Sequence, residues 1–572
     1  MQSVAHHDQT RVLLRDRSLE KPKSKVAHSS IWAVAAYSAY FILALLQQHI
    51  THAVSIGFGS YADEAAHYLS GLMLRDYFFS GLKQSPVDYV SNYYLHLPMV
   101  AIGHWPPVFY LAEAAWMLVF GYTRADILVF IAAITALTSF TVCLATRDVL
   151  AWPGAFAMGG IVQAIPIIRW SNSVVMIDLF TGIVILWAAL SLGKFLNTEK
   201  NSHAIYFGVL ASLALLTKPA AACLALVTIP AILLVRKPRL LRSPALWGAA
   251  LMVAAISAPW YLATWHLARY GSNGGPLGEN LRLVAVGSIT GVVRELNVVL
   301  LLFGAGVYLF FRKENRDGVR AVLIVLPIFM VVILVLARVG LENRLLIPAM
   351  LPMIIVSADG VCWLSGYLRK SASFRAWRTC LVAGAFLLTY VAVTPVKVRW
   401  IPTDDGLGGM VSKILSDDNA PNMVMVAGPN GASDGRMIAT LAESMRVRPG
   451  NIVLRATKVF AVTNWNGTPY SCRVSRPEQV VEELDTDGVN LLAIDTSPRW
   501  GKWRLHEQLL LEATLQYPER FQKIYSDDAS GYALYRFVPK HQPTMPKAVL
   551  NDLKKKLELN PFSRSQDFDS KN

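Results

Sequence analysis

The sequence predicts a polytopic α-helical membrane protein with a small α/β domain at its C-terminal end. Three observations lead to this fold class. Hydrophobic residues make up 54% of the 572 residues, and the mean hydropathy is +0.39. Apolar windows of about 17 to 23 residues, long enough to span the hydrocarbon core of a bilayer, recur along the first two thirds of the chain. Beyond about residue 396, short apolar runs alternate with amphipathic segments, which is typical of alternating strands and helices.

The apolar windows predict about 11 to 13 membrane spans. They lie at about 31–50, 106–122, 125–147, 152–168, 174–193, 204–217, 219–236, 245–265, 292–312, 320–338, 345–367 and 377–395. The first window is longer than the core of a signal peptide, about 7 to 15 residues, and no small-x-small cleavage site follows it. We therefore expect this window to remain as an anchor, preceded by a basic cytoplasmic tail at 1–30.

Basic loops indicate the orientation of the spans and account for the net charge of +15. Lysine and arginine cluster at 236–242, 312–320 and 369–378, each between apolar windows, as they do in cytoplasmic loops. Because the charge follows the topology in this way, we expect no nucleic acid partner. The pattern predicts an integral membrane protein with a cytoplasmic N-terminus.

Counting spans from these loops predicts which polar segments lie on the outer face. Asp178, Lys218, the loop 266–291 and the turn 338–344 fall there, and an inside N-terminus puts the loop 51–105 on the same side. The count from the basic loops and the count from the N-terminus agree only if one apolar segment between residues 106 and 168 does not cross the membrane. The window 106–122 is the first suspect because it is short and starts at two prolines, and 152–168 is the alternative.

Two further regions are expected outside the membrane. The outer loop 51–105 shows helical apolar spacing at 64–82 and is rich in Tyr and Leu at 88–102, which predicts helices lying in the interface. The region 396–541 is expected to be an extracytoplasmic α/β domain, followed by a disordered tail at 542–572. Its predicted strands are 423–427, 451–454, 489–495 and 531–537, and its predicted helices are 433–447, 476–485 and 504–517. The glycine-rich stretch 428–435 reads as a simple strand-to-helix turn.

An acidic pair just after the first span is the strongest candidate for chemistry. Asp63 and Glu64 are the candidate catalytic acids, and His67 and Tyr68, one helical turn further on, would support them. The alternative is a helix start, with Ser60 as the N-cap and the acids in the first turn.

Other ionisable residues are predicted near the same face, where charge close to membrane depth by default suggests function. Asp178 is a further candidate acid, and Lys218, His104 and Arg344 are candidate phosphate ligands, with Asn343 as support. The alternatives are a helix-dipole acid for Asp178, a snorkelling lysine for Lys218 and an interfacial histidine for His104.

Acids and cations together would suit transfer of a group from a lipid phosphate. An acid would deprotonate the acceptor, and the cations would stabilise the departing phosphate. Asp63 and Asp178, with His104, would also be able to hold a divalent metal ion that assists that departure.

The order of these elements resembles the GT-C membrane glycosyltransferases, especially the bacterial branch with the lipid A aminoarabinose transferase and relatives of the protein O-mannosyltransferases. The resemblance covers about residues 30–395 and is carried by Asp63-Glu64, His104-Trp105-Pro106-Pro107, Gly121-Tyr122-Thr123-Arg124, Asp178, Thr217-Lys218-Pro219 and Asn343-Arg344. The aminoarabinose branch tends to have Lys before its Pro-Pro and Arg soon after its acidic pair. This chain has Trp105 and Ala65-Ala66 there, so that branch's donor and acceptor are not assumed.

The resemblance implies an inverting transfer, on the outer face of a bacterial inner membrane, from a polyprenyl-phosphate sugar to a lipid, glycan or protein acceptor. Asp63 would be the base, Asp178 the second acid, and Lys218 and Arg344 the phosphate ligands. Three rival functions remain open at this stage: a transporter or flippase of lipid-linked sugars, a lipid phosphotransferase, and an inactive scaffold whose acids only cap helices.

Overall fold

A computed structural model describes residues 23–55, 57–59, 61–100, 104–269, 277–337, 341–367, 384–385, 387, 390–391, 406–417, 422–446, 448, 450–463, 470–497 and 501–540. The basic loop 369–378, nearly all of the window 377–395 and the tail 542–572 lie outside the described residues, as do residues 1–22 of the N-terminal tail.

The membrane part is a bundle of helices, and each apolar window other than 377–395 corresponds to described helix. The helices are α1 (Lys23–Ile50), α2 (Glu64–Asp76), α3 (Pro86–His96), α4 (Val108–Phe120), α5 (Arg124–Ala164), α6 (Pro166–Ser171), α7 (Asp178–Thr198), α8 (Asn201–Leu215), α9 (Cys223–Leu234), α10 (Pro244–Arg269), α11 (Leu277–Leu296), α12 (Val299–Arg312), α13 (Gly318–Leu336) and α14 (Ile347–Tyr367).

Six helices in the described part of the chain are long and apolar enough to cross a membrane. They comprise Ser30–Ile50, Arg124–Ala164, Asp178–Thr198, Pro244–Thr264, Gly318–Leu336 and Asn343–Ser365. A seventh is added if Leu281–Leu296 and Val299–Arg312, which meet at 105°, form one span. These features make the chain an integral membrane protein.

The number of such helices is smaller than the number of predicted spans for identifiable reasons. Three apolar windows correspond to helices of 10–17 residues: Val108–Phe120, Asn201–Leu215 and Pro219–Leu234. The windows 125–147 and 152–168 share the 41-residue α5, which is kinked at Ala151 (φ 56°) next to Pro153. Helix α4 has 13 residues, about 20 Å of rise, and is too short to cross alone.

The outer loop differs from the predicted pair of interfacial helices. Helix α2 is buried along most of its length, because its small residues let α4 pack against it on one side and the α/β domain on another. The exposed apolar surface comes instead from the following π-helical turn, Tyr77–Gly81, where the side chain of Phe79 is 74% exposed. The interfacial character therefore belongs to this turn rather than to α2.

The C-terminal region is an α/β domain built on a mixed five-stranded sheet. Its elements are α15 (Leu407–Leu415), β1 (Met423–Ala427), α16 (Gly431–Ser444), β2 (Ile452–Arg455), α17 (Ala456–Val459), β3 (Ala461–Thr463), β4 (Tyr470–Cys472), α18 (Pro477–Asp487), β5 (Leu491–Asp495), α19 (Leu505–Gln516), β6 (Phe521–Asp527) and β7 (Tyr532–Phe537). The strand order is β2-β1-β5-β7-β6; the first three are parallel, and β7 is antiparallel to β5 and β6.

The predicted alternation of strands and helices in this region is confirmed. All four predicted strands and all three predicted helices are present within a few residues of their expected bounds. The glycine-rich stretch after β1 is a helix start, in which the Asn430 side chain accepts from the amides of Ala432 and Ser433. Strands β3, β4 and β6 were not predicted.

Helix α16 brings the α/β domain against the start of α2. A Cβ atom at Gly435 would lie 2.9 Å from the Cβ of Ala65 and 3.9 Å from the carbonyl oxygen of Ala62. Arg448 also donates to Asp76 at the far end of α2, at 2.9 Å. The domain therefore packs along the helix that follows Asp63.

Candidate active site

Arg344 joins three carboxylates at one end of the helix bundle. Its Nη2 donates to Asp63 Oδ2 at 2.9 Å, its Nη1 to Asp178 Oδ2 at 3.3 Å, and its Nε to Glu342 Oε2 at 2.6 Å. Lys218 Nζ lies 2.5 Å from the other oxygen of Asp178, Oδ1. We call these five residues, Asp63, Asp178, Lys218, Glu342 and Arg344, the ion cluster.

Each member of the ion cluster lies where a helix or tight turn begins. Asp63 directly precedes α2, Asp178 is the first residue of α7, and Lys218 precedes the turn Pro219–Ala222. Glu342 and Arg344 flank the start of the 3-10 turn Asn343–Leu346 that leads into α14. Polar side chains are thereby held by backbone that is fixed by apolar helices immediately beyond them.

The geometry distinguishes between the alternatives open for the two acids. Neither Asp63 nor Asp178 makes a side-chain hydrogen bond that caps its helix. Both side chains bind cations instead, and they are only 14% and 2% exposed, respectively. Side-chain capping therefore does not account for these acids, whereas Asp178, in the first turn of α7, also lies where the helix dipole favours an acid.

Lys218 is likewise directed into the molecule. Its side chain is 14% exposed and bound to Asp178, so it does not extend along the surface to solvent as a snorkelling lysine would.

Tyr61 contacts two members of the ion cluster, Glu342 and Arg344. Its hydroxyl donates to Glu342 Oε1, and the guanidinium carbon of Arg344 lies 4.3 Å from the centre of its ring. Burial raises the pKa of Tyr61, so this hydroxyl stays protonated at neutral pH. Neither Tyr61 nor Glu342 was among the predicted site residues, although Glu342 lies in the same polar turn as Arg344.

Glu64 points away from the ion cluster into a separate buried pair. Its Oε1 accepts from Arg124 Nη2 at 2.8 Å and from Arg124 Nε at 3.0 Å, and its Oε2 accepts from the Gly59 amide at 3.1 Å. Arg124 also donates to the carbonyl oxygen of Ala53 at 2.6 Å. The two adjacent acids thus have different surroundings, with Glu64 joining the outer loop to the start of α5.

His67 lies on the buried face of α2, beside the ion cluster. Its Nδ1 is 2.8 Å from the Tyr110 hydroxyl, and its ring centre is 4.6 Å from that of Trp105. Burial, and next the positive charge of Arg344, lower the pKa of His67 to about 3. The imidazole is therefore neutral at physiological pH.

His104 approaches the same place from the residues before α4. Its ring meets that of Trp105 edge-on, with 4.5 Å between the ring centres, and Trp105 also neighbours His67.

Tyr68 and Asn343 lie outside the ion cluster. The Tyr68 hydroxyl donates to the carbonyl oxygen of Tyr122 at 2.9 Å, and its ring packs on Phe58. Asn343 donates to Glu295 Oε1 at 2.9 Å and so connects the 3-10 turn to α11. Both side chains hold the surrounding structure together rather than facing the acids.

The donor set fits a metal ion poorly. Asp178 pairs with both Arg344 and Lys218, and Asp63 pairs with Arg344, so each acid already has a cationic partner. Within the described ranges, no group of three or more His, Cys, Asp or Glu side chains is arranged to hold a metal. Asp63, Asp178 and His104 are not brought together as such a group here, so a metal ion at this place stays a prediction, and the two cations supply positive charge there.

Comparison with solved structures identifies the architecture. The fold superposes on ArnT from Cupriavidus metallidurans bound to undecaprenyl phosphate with a TM-score of 0.56, covering 88% of this chain and 98% of that one at 12% sequence identity. The chain has the GT-C fold. The oligosaccharyltransferase AglB from Archaeoglobus fulgidus, in complex with an inhibitory peptide and a dolichol-phosphate, shares the GT-C fold at a TM-score of 0.51 and 11% identity, covering 90% of this chain and 75% of that one.

Comparison at the level of sequence gives no match. No family model matches the chain, and no curated protein matches it. The predicted GT-C architecture is confirmed by the fold, which extends through the C-terminal domain as well as the membrane part.

Proposed function

We propose that the protein is an inverting glycosyltransferase that moves a sugar from a polyprenyl-phosphate donor to an acceptor on the outer face of the membrane. The observation that carries the proposal is the ion cluster, in which two largely shielded acids and two cations from distant segments converge at one end of a GT-C bundle. The acceptor is a lipid, a glycan or a protein.

Arg344 and Lys218 are suited to bind a lipid phosphate, because phosphate oxygens can replace the carboxylate oxygens that pair with them. Arg344 offers a planar fork to two phosphate oxygens, and Lys218 adds a point charge beside it. In the absence of donor, Asp63 and Asp178 neutralise these groups. A donor phosphate would compete with Asp63 for Arg344 and so release the carboxylate next to the reacting sugar.

Asp63 is the proposed general base. It would take the proton from the acceptor hydroxyl or amine while the acceptor atom bonds to the anomeric carbon and the bond from that carbon to the phosphate oxygen breaks. The polyprenyl phosphate leaves with the bonding electrons, stabilised by Lys218 and Arg344. A single displacement of this kind inverts the configuration at the anomeric carbon.

The other predicted site residues receive supporting roles in this proposal. Asp178 orients Lys218 and Arg344, and the neutral, buried side chain of His67 packs beside them. Glu64 holds the start of α2 through Arg124 rather than acting as a catalytic acid. His104 would contact the donor near its phosphate.

The test is transfer of labelled sugar from polyprenyl-phosphate donors in reconstituted vesicles, with and without EDTA. Asp63→Asn should reduce the rate about a thousandfold while donor binding remains, because general-base catalysis contributes roughly 10² to 10⁴. Asp148→Asn, which changes an acid with a 90% exposed side chain, is the matched control and should transfer normally. Full transfer by Asp63→Asn would remove Asp63 as the base. Movement of intact donor across the bilayer without transfer would favour a flippase.

A further inference from the structure

The ion cluster contains one carboxylate more than its cations can neutralise. Asp63, Asp178 and Glu342 supply three negative charges, and Lys218 and Arg344 supply two positive charges. A donor phosphate would add further negative charge at the same place. Because like charges repel one another strongly where solvent is largely excluded, binding of that phosphate requires a carboxylate to give up its place beside Arg344.

Two of the carboxylates occupy one edge of the Arg344 guanidinium. The Nε and Nη2 groups lie on the same edge of a guanidinium and form a planar two-donor fork, which matches two oxygens of a phosphate. In Arg344, Nη2 donates to Asp63 Oδ2 at 2.9 Å, and Nε donates to Glu342 Oε2 at 2.6 Å. A phosphate that binds this fork with two oxygens therefore replaces an oxygen of Asp63 and an oxygen of Glu342 together.

Two other contacts of Arg344 hold the guanidinium in place while the partners on that edge are exchanged. Its Nη1 donates to Asp178 Oδ2 at 3.3 Å, and Asp178, whose side chain is 2% exposed, also binds Lys218. Its guanidinium carbon lies 4.3 Å from the ring centre of Tyr61. Neither contact uses the N–H groups of Nε or Nη2. Asp178 and Tyr61 therefore keep Arg344 in position when those two groups change partners.

Glu342 is the carboxylate that can leave Arg344 at the least cost. Its side chain is 41% exposed, compared with 14% for Asp63 and 2% for Asp178, so water can solvate it as soon as it separates from Arg344. It precedes the 3-10 turn in an extended conformation, and its side chain makes no capping hydrogen bond there. Its Oε1 accepts from the Tyr61 hydroxyl, a contact that keeps the carboxylate nearby after Oε2 has left Arg344.

We propose that Glu342 competes with the donor phosphate for Arg344: it pairs with Arg344 in the absence of donor, leaves when the phosphate binds, and returns when the polyprenyl phosphate product is released. This inference rests on the proposed function, since it adds a residue that sets donor affinity at the same site. The product is a phosphate monoester, which carries more negative charge than the diester of the donor. Repulsion by Glu342 would therefore favour release of the product.

Binding of undecaprenyl phosphate by the full-length protein, in neutral detergent at low ionic strength, tests the competition. Glu342→Gln keeps the size of the side chain and removes its charge, so it should tighten binding about tenfold, which corresponds to about 1.4 kcal/mol. Binding of undecaprenol, which lacks the phosphate, should not change. Glu199→Gln is the matched control, because the Glu199 side chain is 34% exposed and also pairs with an arginine, Arg239. This control should bind undecaprenyl phosphate as wild type does.

The direction of the change in affinity separates competition from a structural role. If Glu342 only orients Arg344, its replacement would weaken binding of undecaprenyl phosphate, and weaker or unchanged binding would overturn the inference. Absence of binding by wild type would overturn it as well. Glu342→Ala, with the same expected direction, provides a second variant in case Glu342→Gln unfolds, which the thermal midpoint reveals.

Product inhibition of sugar transfer tests the return of Glu342 to Arg344. Undecaprenyl phosphate added to the vesicle assay should inhibit Glu342→Gln at about one tenth of the concentration that wild type requires, the same factor as in the binding measurement. An inhibition constant equal to that of wild type would overturn the inference while leaving glycosyl transfer intact. Tighter binding by Glu342→Gln, in a protein that transfers no sugar, would instead refute the proposed function but retain Glu342 as the competitor for phosphate.

Discussion

Arg344 shows how a single side chain can organise a site built from distant segments. It bonds Asp63 and Asp178 at the same time and lies over the ring of Tyr61. Buried charges are tolerated only when they are paired and hydrogen-bonded, so the acids and cations of the ion cluster stabilise one another in the absence of substrate. The proposed reaction uses the same groups in a different pairing.

Glu64 and Arg124 form the pair whose loss should affect folding rather than chemistry. Removing one partner of a buried ion pair leaves an unpaired charge and costs about 3 to 5 kcal/mol, so Arg124→Gln should lower the unfolding midpoint by several degrees. Arg239→Gln, in an exposed pair with Glu199, should leave the midpoint unchanged. If Glu64→Gln loses sugar transfer at an unchanged midpoint, Glu64 is catalytic after all.

His67 should make stability depend on pH. Its pKa is about 3 in the folded state and about 6.5 when unfolded, so the unfolded chain binds more protons between these values. The contribution to stability is fully present above pH 6.5. As the pH falls below 6.5, it is lost at about 1.4 kcal/mol per unit. The difference in unfolding free energy between wild type and His67→Gln, measured from pH 7 to 5, should show this slope, and His49→Gln, an exposed control, should not.

At the scale of single elements, close helix packing depends on glycine. A Cβ at Gly306 of α12 would lie 2.4 Å from the carbonyl oxygen of Val356 in α14, and one at Gly360 would lie 2.3 Å from that of Leu302. Small residues at such crossings let helix backbones approach within a membrane. The pair α12 and α14 therefore depends on two positions that hydropathy alone does not distinguish.

Gly306→Ala should destabilise this helix pair by about 1 to 3 kcal/mol, because the added methyl group forces the two backbones apart. Gly304→Ala lies in the same helix but meets nothing within 4 Å, so the gain in helix propensity should leave stability equal or slightly higher. Thermal unfolding in one detergent compares the two variants. Equal midpoints would show that α12 shifts to accept the methyl group.

Elements were predictable where a local pattern determines them. Apolar windows and the alternation after residue 423 foretold the helices and the main strands, since burial and period suffice there. Strand β6, Phe521–Asp527, is largely polar and buries one of its residues, so it lacked the apolar run that marked β1 and β5. The windows 125–147 and 152–168 were predicted as two spans, although both belong to α5. A kinked helix and two separate helices have the same composition, so the sequence does not distinguish them.

Site residues were predictable as candidates, whereas their partners were not. Asp63, Asp178, Lys218 and Arg344 stood out as charges beside apolar segments, and the structure brings all four together. Glu64 has the same local sequence signal as Asp63, and only the position of Arg124 separates them. Such pairings depend on contacts across 40 residues or more, which a single sequence does not encode in any local pattern.

For the whole molecule, the GT-C fold and the basic loops predict one orientation in the membrane, with the basic loops in the cytoplasm and the α/β domain on the outer side. Lys313→Cys, in a cytoplasmic loop, should resist a membrane-impermeant maleimide in right-side-out vesicles, and Lys502→Cys, in the α/β domain, should react. The two results should exchange in inverted vesicles, with a variant lacking all cysteines as the background. Labelling of both positions from one side would contradict the proposed placement of the α/β domain.

The sequence distance between the partners in the ion cluster has a consequence for biogenesis. Asp63 and Arg344 are 281 residues apart, so at a synthesis rate of about 5 to 20 residues per second Arg344 is made roughly 15 to 55 s later. Until then Asp63 and Asp178 have no Arg344 to neutralise them at the membrane surface. A nascent or truncated chain that ends before α14 therefore lacks the complete ion cluster, and the proposed activity would begin only when the last described membrane helix has joined the bundle.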